Sequence, residues 1–226
     1  MPDVRPSLAE SLSKSFNRVR ARGPIEVWEL VSSRVADNLW SDDALIVFSA
    51  EAGGTTAPSD GLRLVVATPD DAADFARDIG TDSASTFAAR LSPTSHCYLV
   101  REGSKILHSS WVTLFAAWTR ELRGYVMPPA GDAYVYESFT RPDARGRGVY
   151  PFALSGLRAE LATGGVARVW VAAEADNAPS IRAIGKAGFE ERYRLSYRRR
   201  FGTLQLTDEG AEAHGALVIA RRLPAR

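Results

Sequence analysis

Apolar positions recur along this chain with two periods, and the switches between them outline its elements. Leu8, Leu12, Phe16 and Val19 share one helical face, which predicts an amphipathic helix over residues 1–20. After Gly23-Pro24, a second stripe of Val27, Leu30 or Val31, Val35 and Leu39 runs from Ile25 to Trp40. Ala44 to Ser49 reads as a short strand. Residues 51–61 are rich in Gly, Thr, Pro and Ser and lack any period, so the main domain boundary is placed there. Residues 1–50 then form a helical extension with a short strand, packed on a main domain of residues 62–226.

In that domain Leu62 to Ala67 is strand-like, and Thr68-Pro69-Asp70-Asp71 supplies a cap, a proline and first-turn acids for a helix. A further helix is expected around Ser83 to Leu91. Strands follow at His96 to Arg101, Lys105 to Phe115 and Ala133 to Thr140. Tyr150 to Ala162 places Leu154, Leu157 and Leu161 on one helical face, and Val166 to Ala173 is a strand. Ser180 to Ala187 forms a short helix closed by Gly188. In Arg192 to Arg198, Tyr193, Leu195 and Tyr197 alternate with Arg192, Arg194 and Arg198, the pattern of a half-buried strand. Those arginines are read as a solvated face and given no ligand. Ala216 to Ala220 is a candidate final strand.

Composition narrows the class. At 226 residues and 45% hydrophobic side chains, the chain can build one good core. Its 28 Lys and Arg against 27 Asp and Glu give no electrostatic reason to expect nucleic acid or an anionic membrane as partner. No apolar run approaches the ~20 residues of a membrane span, and the N-terminus lacks the apolar stretch of a signal peptide. A cytoplasmic location is expected. The single cysteine, Cys97, sits in an apolar strand context and is expected to be a buried thiol. No metal is expected, and nothing in the sequence opposes a homodimer.

Two segments carry chemistry. Gly146 and Gly148 stand between a strand and a helix, where backbone can approach a ligand and the helix N-terminus offers free N–H groups to an anion. Arg145 and Arg147 add positive charge. Some thirty residues later, Asn177-Ala178-Pro179-Ser180 opens a short helix that ends at Gly188-Phe189. In order and spacing, residues 142–148 and 174–189 together resemble the GNAT superfamily of N-acetyltransferases. Its loop reads Arg or Gln, two residues, Gly, one residue, Gly or Ala. Its second signature is Asn, two residues, Ala or Ser, then a short helix ending in Gly-Phe. The resemblance spans residues 62 to about 200 and is specific from 133 to 189.

The resemblance implies an α/β (α+β) fold with a mixed, mostly antiparallel sheet, splayed between the strands at 133–140 and 166–173 and flanked by helices. The pantetheine arm of acetyl-CoA, the donor substrate, would lie in the gap. Its diphosphate would rest on Arg145, Gly146, Arg147, Gly148, Val149 and Tyr150. A backbone amide among Ser138, Phe139 and Thr140 would polarise the thioester carbonyl, and Asn177 and Ser180 would contact the arm. Asn177 is equally suited to capping its own helix. The chain departs from the family twice: Tyr150 replaces a small residue, and Ile184 stands where many members carry a tyrosine that protonates the leaving thiolate.

The implied activity is direct acetyl transfer to a primary amine of a small molecule. Such an amine, with a pKa near ~10.4, must lose a proton before it attacks. Glu137, on the strand flanking the thioester and two residues before Phe139, is the first candidate acceptor of that proton. A structural ion pair with an arginine is its other reading. His108 is the alternative, and Trp111 could wall the acceptor pocket. The Arg22-Gly23-Pro24 junction and residues 145–151 loosely resemble acetyltransferases of bacterial surface-sugar pathways, which makes an amino sugar the first acceptor considered. The competing readings are a non-catalytic acyl-CoA-binding regulatory module, or an acyltransferase using a longer acyl-CoA or an acyl carrier protein.

Overall fold

Period-two alternation resolves into two sheets and the 3.6-residue stripes into helices that cover them. The computed structural model describes residues 40–54, 61–119, 122, 124–200, 203–209, 217–220 and 223. The two helical stripes expected before Trp40 lie outside the described residues, as does most of the expected linker. In chain order the elements are β1 (Trp40–Glu51), β2 (Leu62–Val66), a 3-10 turn (Pro69–Asp71), α1 (Ala72–Asp78), α2 (Ala84–Arg90), β3 (Ser95–Glu102) and β4 (Lys105–Thr113). Next come β5 (Ala117–Thr119), β6 (Gly124–Met127), β7 (Ala133–Thr140), a 3-10 turn (Pro142–Ala144), α3 (Val149–Thr163) and β8 (Arg168–Glu174). The chain continues with α4 (Ala178–Lys186), β9 (Glu190–Arg200), β10 (Thr203–Glu209) and β11 (Val218–Ala220).

Eight strands form the main sheet in the order β10-β9-β1-β8-β7-β4-β3-β2. Every neighbouring pair is antiparallel except β7 and β8. That parallel pair matches Ala133–Val135 to Val169–Val171 and then ends, although the strands run on to Thr140 and Glu174. The sheet therefore splays there, as the resemblance implied. β1 differs from expectation: the strand grouped with the N-terminal extension lies inside this sheet, hydrogen-bonded to β8 on one side and β9 on the other. Ala44, Leu45, Val47, Phe48 and Ala50 are buried in it, so residues 51–61 connect two strands of one sheet rather than two domains.

Both faces of the sheet are covered. α3 and α4 lay Leu154, Leu157, Leu161 and Ile184 against Phe48, Val112, Val135, Val169 and Val171. Each fully buried side chain of this size contributes roughly 1.5–3 kcal/mol by leaving water. On the opposite face α1 and α2 bring Phe75 and Phe87, stacked with centroids 4.2 Å apart, onto Cys97, Leu99 and Trp111. A second sheet, β11-β6-β5, packs beside them over Tyr134, Trp170 and Tyr193. Cys97 is fully buried and burial pushes its thiol up, which suits a structural role. On β9, Tyr193, Leu195 and Tyr197 are buried, while Arg198 and Arg200 pair with Asp42 at 3.0 and 2.7 Å.

Candidate active site

Where β7 and β8 part, a cavity of about 890 Å³ runs through the sheet. Its α3 and α4 end is lined by Arg145, Gly146, Gly148, Val149, Tyr150, Asn177, Ser180, Arg182 and Lys186. Ser138, Phe139 and Thr140 form the strand wall. The far end, on the face of the small sheet, is lined by Leu45, Trp118, Thr119, Tyr134 and Tyr136. Three cationic side chains, Arg145, Arg182 and Lys186, all stand at the helical end.

The loop before α3 is shaped by its glycines. Gly146 and Gly148 have φ of 76° and 75°, the left-handed region that costs other residues roughly 1–2 kcal/mol. A Cβ at either would meet nothing within 4 Å, so the requirement is conformational and the space beyond is open. Phe152 makes the first helical bond, its N–H donating to the Gly148 carbonyl at 3.1 Å. The N–H groups ahead of it face the cavity end of the helix, where the helix offers no carbonyl of its own. Arg145 Nε donates to the Thr140 carbonyl at 3.4 Å, which ties the loop to β7. Arg147 departs from expectation: it pairs with Glu102 and is not part of the cavity wall. On α4, Asn177 Oδ1 accepts from the Ser180 N–H at 3.2 Å, so Asn177 caps its helix while lining the cavity.

On the other wall, β7 carries a bulge. Trp111 pairs with Tyr136 and Ser109 with Phe139, so two β7 residues, Glu137 and Ser138, oppose Ser110 alone. Glu137 takes φ 47°, the one non-glycine with positive φ among the described residues, a strain of about 1–3 kcal/mol. Arg90 of α2 holds it there: its Nη1 donates to Glu137 Oε2 at 2.8 Å and to Asp82 Oδ2 at 2.5 Å. The same guanidinium lies 4.0 Å from the Trp111 ring centroid and 5.9 Å from that of Tyr136. Glu137 thus lines the cavity while taking part in the ion pair that was its other reading.

His108 is buried in a polar chain along the cavity wall. Its Nδ1 is 2.7 Å from Thr140 Oγ1 and its Nε2 2.8 Å from Ser110 Oγ, which is 2.8 Å from Ser138 Oγ. Tyr150 stacks on the imidazole at 5.2 Å. Burial pushes the imidazole down to about 3, which keeps it neutral and makes it a weak base. Burial also pushes the Tyr150 phenol up to about 12.

Trp111 is not where the acceptor reading put it. It is 1% exposed, on the sheet face opposite His108, edge-on to Phe87 at 5.5 Å, and outside the cavity wall. The aromatic wall is instead Trp118, Tyr134 and Tyr136, none of which the sequence reading singled out. Tyr134 and Tyr136 precede Glu137 on the same strand, and that adjacency was the available signal. Trp118 lies on the three-residue β5, too short to show a period.

No protein-family model and no curated protein matches the chain. Among solved structures, it is similar to a GCN5-related N-acetyltransferase from Sphaerobacter thermophilus, with TM-score 0.52 and 11% identity over 79% of this chain. It is also similar to an acetyltransferase from the GNAT family from Colwellia psychrerythraea, with TM-score 0.51 and 16% identity over 76% of this chain. The aligned part covers 56% and 61% of those two chains. This protein therefore has the fold of the GNAT acetyltransferases.

Proposed function

We propose that this protein is an acetyl-CoA-dependent N-acetyltransferase whose acceptor is the primary amine of a small molecule, with an amino sugar the first candidate. The observation that carries the reading is the loop Arg145–Tyr150: two left-handed glycines at the N-terminus of α3, beside the gap between β7 and β8. Such a loop suits a diphosphate, and Arg182 and Lys186 suit the further charge of a polyanionic donor. The open space at both glycines fits close approach of a ligand. Bound there, acetyl-CoA would supply an activated acyl group. The bulged segment at Glu137–Ser138 and the amides of Phe139 and Thr140 would polarise its carbonyl, while Asn177 and Ser180 would hold the arm.

The acceptor would enter from the end walled by Trp118, Tyr134 and Tyr136, where Glu137 would take the proton released by nitrogen. The neutral, weakly basic His108 is less suited to that task. Two observations favour a second reading: the Arg90 ion pair engages Glu137, and Ile184 offers no acid, which suits a module that binds acyl-CoA without turnover. Release of free CoA thiol from acetyl-CoA, measured against a panel of amines, separates the two. Acceptor-dependent thiol supports the enzyme; CoA binding without any acceptor-dependent thiol supports the module. Repeating the assay with longer acyl-CoA donors fixes the acyl group.

A further inference from the structure

Glu137 stands in a conformation that a glutamate does not choose for itself. Its positive φ falls at a bulge where two residues of β7 face one of β4. Its side chain is half-exposed and reaches the cavity, so packing alone does not fix it. A long side chain left to itself would spread its carboxylate over several rotamers. The restraint comes from α2. Side chains on a helix lean toward its N-terminus, so Arg90, in the last turn, lies back along α2 to Asp82, just ahead of the Ser83 cap. The Asp82 side chain is buried, and the guanidinium lies over the buried ring of Trp111. Arg90 is therefore held by α2 and β4 where it meets Glu137.

We propose that Arg90 is the positioning residue for proton acceptance at Glu137, an inference that rests on the acyl-transfer reading above. Its Nη1 donates to Oε2, and among the described residues no hydrogen bond engages Oε1. One oxygen is anchored and the other is left for the acceptor nitrogen. The nitrogen's proton passes to Oε1 and from there to cavity water. Asp82 keeps this arrangement from silencing the base. It accepts from the same Nη1, so two carboxylates share one cation and Glu137 is not neutralised outright by its partner. A guanidinium suits the task because one planar group both stacks on Trp111 and donates to the two carboxylates, which a lysine ammonium does not reproduce. Aim matters here, since displacing a reacting group by ~1 Å can cost about 10²-fold in rate.

Arg90→Ala should lower kcat for acceptor-dependent thiol release about 10²-fold, with CoA affinity by calorimetry unchanged. A residue that acts through another loses its effect once the other is gone. Added to Glu137→Gln, Arg90→Ala should therefore change kcat by about twofold at most. Guanidinium ion supplied to Arg90→Ala should restore part of the lost kcat, and none in the double variant. Arg90→Lys, which keeps the charge without the planar fork, should fall between wild type and Arg90→Ala, and it carries the same comparison if the alanine variant does not fold. A loss that persists undiminished in the Glu137→Gln background, or one that appears as weaker CoA binding, overturns the positioning role. Full turnover by Glu137→Gln alone removes Glu137 as the base and Arg90 with it. A wild type that binds CoA but releases no acceptor-dependent thiol overturns the acyl-transfer reading itself, and the role of Arg90 falls too.

Discussion

Acidification is the perturbation for which His108 gives a worked magnitude. Its ring is 1% exposed and burial takes it from 6.5 to about 3. Between those values the unfolded chain protonates this imidazole and the folded chain does not. The unfolded state then binds more protons, so stability rises with pH across the window and this contribution is complete above 6.5. At 1.36 kcal/mol per unit, a fall from pH 6.5 to pH 5 costs about 2 kcal/mol. Carboxylates such as Asp143, which Arg141 and Lys105 hold well below the usual range, lose their contribution only at lower pH. Urea unfolding of the wild type and His108→Gln at both pH values isolates the effect. The wild type should lose about 2 kcal/mol more than the variant over that interval. Equal losses would refute a neutral, buried imidazole at this position.

Other expectations follow from single contacts. Asn177→Ala removes the cap on α4 and should cost about 1 kcal/mol in denaturant unfolding. Phe87→Ala, which empties the fully buried site between Phe75 and Trp111, should cost about 3–5 kcal/mol in the same assay. Glu137→Gln keeps the size of the side chain but removes its basicity. It should reduce acceptor-dependent thiol release by about 10²-fold with CoA affinity unchanged, and undiminished release would assign proton removal elsewhere.

Much of the helical end of the cavity was legible because its signals are local. Glycines that must take positive φ, a proline inside a helix start and an Asn cap all act within a few residues, so Arg145–Tyr150 and Asn177–Ser180 could be placed from order and spacing. Alternation also placed the buried face of β9 correctly. The far end of the cavity depends on contacts distant in sequence. Arg90 and Glu137 are 47 positions apart, and nothing local couples them. Strict alternation would put Tyr136 and Glu137 on opposite faces, but the bulge turns both toward Arg90. His108 and Trp111, three apart on one strand, do fall on opposite faces, which period two alone would have indicated. β1 was misgrouped because a glycine-rich, aperiodic stretch looks the same whether it joins two domains or two strands of one sheet. β5 and β6, of three and four residues, carry too few positions for a period to register.

The central claim is that the loop at Arg145–Tyr150 is a diphosphate site, and calorimetric titration of CoA into wild type and Gly148→Val tests it most directly. A β-branched residue at φ 75° strains the loop by roughly 1–2 kcal/mol and sets a side chain in the space a ligand would occupy, without touching the core. The account predicts saturable binding to the wild type and no measurable heat of binding to a folded Gly148→Val. CoA affinity equal in the two proteins, or no binding to either, would contradict it.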